Sequence, residues 1–373
     1  MKENGGRTSL GELARLFLKL GTVSFGGPAA HIAMMEDEVV RRRAWLTHQE
    51  FLDLVGAVNL IPGPNSTEMA IHVGRERAGW RGLLVAGSCF ILPAVLIVAA
   101  IGWAYVRFGT LPAAVALLYG VKPVVIAVVL QALWSLGRTA VKSWWLAALG
   151  VAAAVAAAVG ANELLVLGVA AALGVARKTR PVPALGLAAA GSFAGAPAAF
   201  GLWPLFGVFL KVGAVLFGSG YVLLAFLRAD LVQRLHWLTE HQLLDAVAVG
   251  QVTPGPVFTT ATFVGYVLHG IPGAAVATVG IFLPAFVYVA LSSAILPRLR
   301  RSPAARAALD AVNVASLALM AVVTWQLAGA ALVDAWTVTL AGAAAVLLLQ
   351  YRVNSSWLVL GGAAVGLAVR ALG

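Results

Sequence analysis

Two Pro-Gly-Pro triplets, Pro62-Gly63-Pro64 and Pro254-Gly255-Pro256, stand inside apolar stretches of this chain, each followed by small hydrogen-bonding residues. Asn65, Ser66 and Thr67 follow the first and Thr259 and Thr260 the second, while Asn59 and Gln251 precede them at matching positions. Proline removes a backbone donor and clashes with the preceding turn, so a helix stops at such a triplet and a new one can start beyond it. The free amides at that start, with about half a positive charge from the helix dipole, suit an anion. Two further breaks, Gly26-Gly27-Pro28 and Gly218-Ser219-Gly220, add Gly26, Gly27, Gly218 and Gly220 to the candidate anion-binding positions, with Gly63 and Gly255 from the triplets. The competing reading is that Gly and Pro here merely permit close packing or kinks.

Four charged residues sharpen the reading. Lys122 lies eleven residues beyond Leu111 in an apolar segment, which at ~1.5 Å per residue puts it near the middle of a bilayer, where an ammonium group is a functional candidate. Its counterpart in the repeat described below is Asn313. Lys19 and Lys211 correspond to each other and precede the glycine breaks; they either guide an anion inward or snorkel to a headgroup. Glu68 follows the first triplet, with Thr260 opposite it in the second. It is a candidate carrier of a coupling proton, or else a static partner of a Lys or Arg.

Other groups carry less. Glu36, Asp37 and Glu38 with Arg41, Arg42 and Arg43 read as a solvated, self-paired loop, and His31, His72 and His241 as structural, with pH gating the alternative. Cys89 is the single cysteine, so no internal disulfide forms. Neither metal-ligand spacing nor a phosphate loop nor a Ser-His-Asp or Cys-His grouping is present, so no metal or cofactor is expected and enzyme readings start weak. A membrane-embedded hydrolase using Ser66 or His72 is the remote rival.

The elements that must position these residues are set by composition. With 61% hydrophobic and 11% charged residues among 373 and a mean hydropathy of +0.92, the chain has too little polar surface for a soluble domain. Stretches such as 83–106 and 143–161 carry no charge and approach the ~20 residues that cross hydrocarbon. The net charge of +11 sits in short segments between apolar runs, a topology signal rather than a nucleic-acid footprint. No removable signal peptide is evident at 1–19. At membrane depth, broken backbone is tolerated only where protein or a watery cavity satisfies its polar groups.

The chain also repeats itself. Phe17-Leu18-Lys19 returns as Phe209-Leu210-Lys211, Trp45-Leu46-Thr47 as Trp237-Leu238-Thr239 and the first triplet as the second, all at an offset of 192, which becomes 191 at Leu92-Pro93 and Leu283-Pro284. Each half divides into six apolar segments. They lie near 10–33, 51–73, 82–106, 112–136, 143–161 and 163–176, and near 202–227, 243–268, 273–296, 307–333, 335–350 and 355–372. The domains expected are a first repeat over 10–180, a linker over 181–200 and a second repeat over 201–373. Loops after matching segments carry opposite charge bias. Arg75, Arg77 and Arg81 face a counterpart near 269–272 without Lys or Arg, and the lone Arg107 faces Arg298, Arg300, Arg301 and Arg306. If positive loops stay in the cytoplasm, the halves are inverted. The expected fold is therefore an all-α polytopic membrane protein of two inverted-topology repeats, with about ten crossings and re-entrant broken helices at the Pro-Gly-Pro triplets.

The segments Phe25-Gly26-Gly27-Pro28-Ala29-Ala30-His31, Asn59-Leu60-Ile61-Pro62-Gly63-Pro64-Asn65-Ser66-Thr67-Glu68 and Phe90-Ile91-Leu92-Pro93 resemble the first domain of the chromate transporter family. Phe209-Leu210-Lys211-Val212-Gly213, Phe217-Gly218-Ser219-Gly220-Tyr221, Trp237-Leu238-Thr239 and Thr253-Pro254-Gly255-Pro256 are similar to its second, and Gly120-Val121-Lys122-Pro123 to its Lys-containing segment. Ser219 departs from the family's usual glycine run. The resemblance implies a multi-pass protein of the bacterial inner membrane that exports chromate, a sulfate-like dianion, on the membrane gradient, and so confers chromate resistance. A transporter or channel for sulfate or another small anion is the alternative. Partners expected are chromate or a related oxyanion and the lipid bilayer, with no nucleic acid and a homodimer as the candidate assembly.

Overall fold

In the computed structural model the described residues are 8–25, 27–178, 200–217, 220–351 and 353–372. Gly26, Gly218, Ser219 and, apart from Phe200, the expected linker lie outside them. All regular structure among the described residues is helical. The first half gives α1 (Leu10–Val23), α2 (Gly27–Glu36), α3 (His48–Val58), α4 (Asn65–Phe108), α5 (Pro112–Ala140), α6 (Trp144–Ala158) and α7 (Glu163–Lys178). The second gives α8 (Leu202–Val215), α9 (Leu223–Leu227), α10 (Glu240–Val252), α11 (Thr260–Arg301), α12 (Pro303–Ala331), α13 (Ala335–Leu349) and α14 (Ser355–Leu372).

The triplets end helices as proline chemistry requires, α3 before the first and α10 before the second. Matched π-helices follow the glycine breaks, at Asp37–Arg42 and Arg228–Arg234. Each leads into a positive-φ residue, Ala44 (48°) and His236 (54°), and then a capping motif. Thr47 pairs with Glu50 in one, Thr239 with Gln242 in the other. The segment read as a loop at 36–43 is thus largely helical, though self-paired as expected: Arg42 meets Asp37 at 2.6 Å and Arg43 meets Glu38 at 3.4 Å.

α4 would measure about 66 Å if straight, twice the hydrocarbon core. Instead it turns back at Ala78-Gly79, as α11 does at His269-Gly270, both glycines at φ 60°. Gly74 and Gly82 lie backbone to backbone, so that a Cβ on Gly74 would stand 2.3 Å from the Gly82 carbonyl oxygen; the corresponding distance at Gly265 and Gly273 is 2.2 Å. The arms 65–77 and 80–108 therefore run antiparallel.

The chain forms two compact units, each drawn from both halves. Unit 1 comprises Met1–Tyr105, Leu205–Gly220 and Val249–Leu296. Leu13, Leu16, Phe17 and Leu20 form one buried face of α1, at helical spacing, and pack with Met35, Phe51, Val58, Met69 and Phe90. Gly21 brings α1 against the backbone of Phe90, and its counterpart Gly213 brings α8 against that of Ile281. Arg75 donates to the carbonyls of Val289 and, at 2.8 Å, Ala290, so a charge read as topological also ties the two halves of this unit.

Unit 2 comprises Val106–Pro204, Tyr221–Ala248 and Pro297–Gly373. Its packing is crosswise: α5 lies against α13 and α14 of the other half, α12 against α6 and α7, and α5 against α12. Gly120 allows the α5–α14 approach, since a Cβ there would sit 2.0 Å from the Gly362 carbonyl oxygen. Tyr119 donates to Asp334 at 2.6 Å and Lys142 to Asp310 at 2.7 Å, again joining the halves.

By length and composition α4, α5, α11 and α12 can cross a bilayer. α6 is shorter than the uncharged stretch 143–161 suggests. Its 15 residues span about 22 Å, because Gly160 (φ 84°) ends it and Ala161 N–H turns back to the Ala156 carbonyl at 2.9 Å.

Candidate functional site

The two triplets belong to unit 1, as do Gly27 and Gly220 from the glycine breaks. Gly63 N–H donates to the Leu216 carbonyl at 2.8 Å, and Gly255 N–H donates to the Ser24 carbonyl at 2.9 Å. Donors and acceptors correspond pairwise at the repeat offset, so the triplet of each half is bonded to the end of the other half's first helix. Such reciprocity is the mark of a two-fold relation. Gly63 and Gly255 adopt φ 139° and 87°, values side chains rarely permit, and a Cβ on Gly255 would meet that of Ala94 at 2.8 Å.

Beyond the triplets the halves differ, because the one-residue gap falls there. α4 begins at Asn65, with Thr67 and Glu68 amides on the Pro64 carbonyl at 2.8 and 3.0 Å. The second triplet passes through a 3-10 turn at Val257–Thr259 before α11. Thr259 and Thr260 hydroxyls donate to the Pro256 and Val257 carbonyls, each at 2.8 Å. Across the first break Asn65 donates to Asn59 at 2.9 Å.

Several buried polar atoms around these breaks have no hydrogen-bond partner among the described residues. They are Ser24 Oγ, His31 Nδ1, Thr67 Oγ1, both Glu68 oxygens and Gln251 Nε2, on residues no more than 7% exposed. His31 is fixed through Nε2, 3.1 Å from the same Ser24 carbonyl that Gly255 uses. Native proteins leave few such atoms unpaired, and each needs an explanation. Ser66 is also buried; Gly27 (φ 80°) starts α2 and Gly220 a 3-10 turn packed on Val257.

The lysines are differently placed. Lys19 Nζ lies 2.6 Å from Glu38, whose side chain is buried, and Lys211 on α8 is half-buried. In unit 2, Lys122 on α5 pairs with Asp245 on α10 at 3.2 Å, and Asn313 lies half-buried on α12. Sequence reasoning singled out Lys122 but missed Asp245. The signal was an acid inside the apolar run 243–268, matching Asp53 of the first half. Ser24 and His31 were likewise undervalued, because orphaned lone pairs are visible only in three dimensions.

The hydrogen bond from Lys19 is the main cause holding the Glu38 carboxyl below the usual carboxylate range. A depressed folded-state value contributes stability above the unfolded value of ~4.3 and loses it as pH falls through the folded value. Lys19→Met should therefore begin acid unfolding at a higher pH than the parent. Superimposable acid curves would show that Arg42 and Arg43 suffice.

An apolar chain of two matched halves, its described regular structure all helical and its interrupted helices bonded reciprocally at their breaks, has the architecture of a membrane transporter. It belongs to the chromate transporter family, whose model matches residues 11–175 and 203–367. The chain is 34% identical over 372 residues to a chromate transport protein of Cupriavidus metallidurans, covering 96% of this chain and 92% of that protein. It is 32% identical over 337 residues to a chromate transport protein of Pseudomonas aeruginosa (85% and 80% covered) and 26% identical over 338 residues to an uncharacterised transporter of Methanocaldococcus jannaschii (84% and 83%). No solved structure matches. Family and helices together support an anion substrate and a lipid environment.

Proposed function

We propose that the protein is a secondary transporter carrying chromate, or a tetrahedral oxyanion of the same chemistry such as sulfate, outward across a bacterial inner membrane by alternating access. Its anion site lies at the crossed breaks of unit 1. The observation that carries this reading is the set of unpartnered buried polar atoms on Ser24, His31, Thr67, Glu68 and Gln251, beside a half-helix whose first amides face the break. An oxyanion supplies acceptors in several directions at once, which suits hydroxyls, amide N–H groups and a helix N-terminus.

Voltage supplies the direction. An inside-negative potential is worth about 2.3 kcal/mol per elementary charge per 100 mV, so net negative charge on the transported species drives export without ATP. Lys122 enters as half of an ion pair, and an anion approaching it would compete with Asp245.

Equilibrium binding of chromate to the purified protein tests the placement. Each of Thr67→Val and Gln251→Leu removes one open hydrogen-bonding atom. Hydrogen bonds to charged groups are worth about 1.5–3 kcal/mol, so affinity should fall about tenfold or more in each variant. Parental affinity in both would move the site elsewhere. Sulfate competing at comparable concentration would mark a general oxyanion carrier, and failure to compete a selective one.

A further inference from the structure

We propose that Glu68 carries one proton with each oxyanion, so that the transported complex bears one negative charge fewer than the anion alone. The proposal rests on the anion site placed at the crossed breaks. Glu68 is fully buried, and among the described residues neither of its oxygens has a hydrogen-bond partner. Its carboxyl is aimed at the break: a Cβ built on Gly63 would stand 2.3 Å from Oε1. It thus shares its surroundings with the first amides of the 65–77 arm.

A carboxyl in that position has two forms, and only one tolerates the proposed cargo. The carboxylate offers lone pairs alone and repels an arriving anion. The acid donates one hydrogen bond to it, of the charge-assisted kind. Anion and proton each strengthen the binding of the other, and this coupling is reciprocal. They therefore move together: the carboxylate takes a proton from water on one side and returns it to water on the other, with no bond made or broken in the anion.

The difference between the halves sets the number at one. Where the first half has Glu68, the second has Thr259 and Thr260, whose hydroxyls are engaged with the Pro256 and Val257 carbonyls, each at 2.8 Å. The other titratable groups nearby are His72, one turn further along the same arm; Tyr288 on α11, within electrostatic reach of Glu68 and donating to the Ala214 carbonyl at 3.0 Å; and His31 on α2, held by Ser24.

The test uses the full chain in sealed vesicles with chromate as the probe and the voltage clamped to zero. A proton gradient, acid outside, should accumulate chromate about tenfold per pH unit, as one co-transported proton requires. Glu68→Gln keeps shape and a donor but cannot carry the proton. It should abolish accumulation and raise the charge moved per chromate from one to two. Chromate flux in the parent without any response to the pH gradient would overturn the proposal while leaving the transporter reading intact. A Glu68→Gln protein that still accumulates chromate would assign the proton to another group and overturn it equally. Should the parent neither bind nor carry chromate, the site reading itself fails, and the proposal with it.

Discussion

Replacing Lys122 by methionine is expected to destabilise the protein by about 3–5 kcal/mol, the usual consequence of removing one member of a buried ion pair, and adding Asp245→Asn should restore most of that. The reason is geometric. Lys122 Nζ lies 3.2 Å from Asp245 Oδ1, with the two side chains 16% and 4% exposed. The single change leaves the carboxylate without this counter-ion in surroundings where desolvation is severe; the double change leaves two neutral groups. Thermal melting in detergent of the parent, both single variants and the double variant gives the coupling as a double-mutant cycle. A double variant no more stable than Lys122→Met would show that the pair is not the unit. The same four proteins separate structure from transport. If Lys122 binds the anion directly, chromate flux stays lost in the stable double variant; restored flux would make its role one of support.

The second large effect concerns the hairpins inside α4 and α11. Gly74→Val should prevent the arms 65–77 and 80–108 from closing, because even a Cβ at Gly74 would stand 2.3 Å from the Gly82 carbonyl oxygen and 2.5 Å from Ala86 Cβ. Gly74→Ala should lose about 1–3 kcal/mol by overpacking, with valine worse. Gly265, where the contact is 2.2 Å, should behave alike. Gly137 and Gly329 are the controls: each lies within a helix with nothing within 4 Å of a built Cβ, so alanine there should be neutral or stabilising by up to about 1 kcal/mol. Yields of monodisperse protein and melting temperatures decide the matter. Equal tolerance at Gly74 and Gly137 would refute the close approach.

Much of this architecture was legible beforehand because its causes are local. Proline chemistry stops α3 and α10 wherever the chain goes next, and the constant offset between Phe17 and Phe209 or Gly63 and Gly255 declared the duplication. What escaped depends on partners distant in sequence. Nothing near Lys122 in the chain points to Asp245. Thr259 and Thr260 resemble Thr67 as hydroxyl residues, yet a 3-10 turn directs their protons into their own backbone, whereas Thr67 Oγ1 stays open. The division into units was also hidden, since each takes helices from both halves and the chain passes from one to the other inside helical elements.

The exchanged bonds from Gly63 to Leu216 and from Gly255 to Ser24 bear on ancestry. A polypeptide holding one module alone would leave its own glycine amide unmatched in hydrocarbon and its own helix-end carbonyl without the bond from the other module. A second molecule inserted upside down would complete both at once. Gene fusion would then fix as one chain what began as two identical subunits facing opposite ways, and would free the copies to diverge, as Glu68 and Thr260 have.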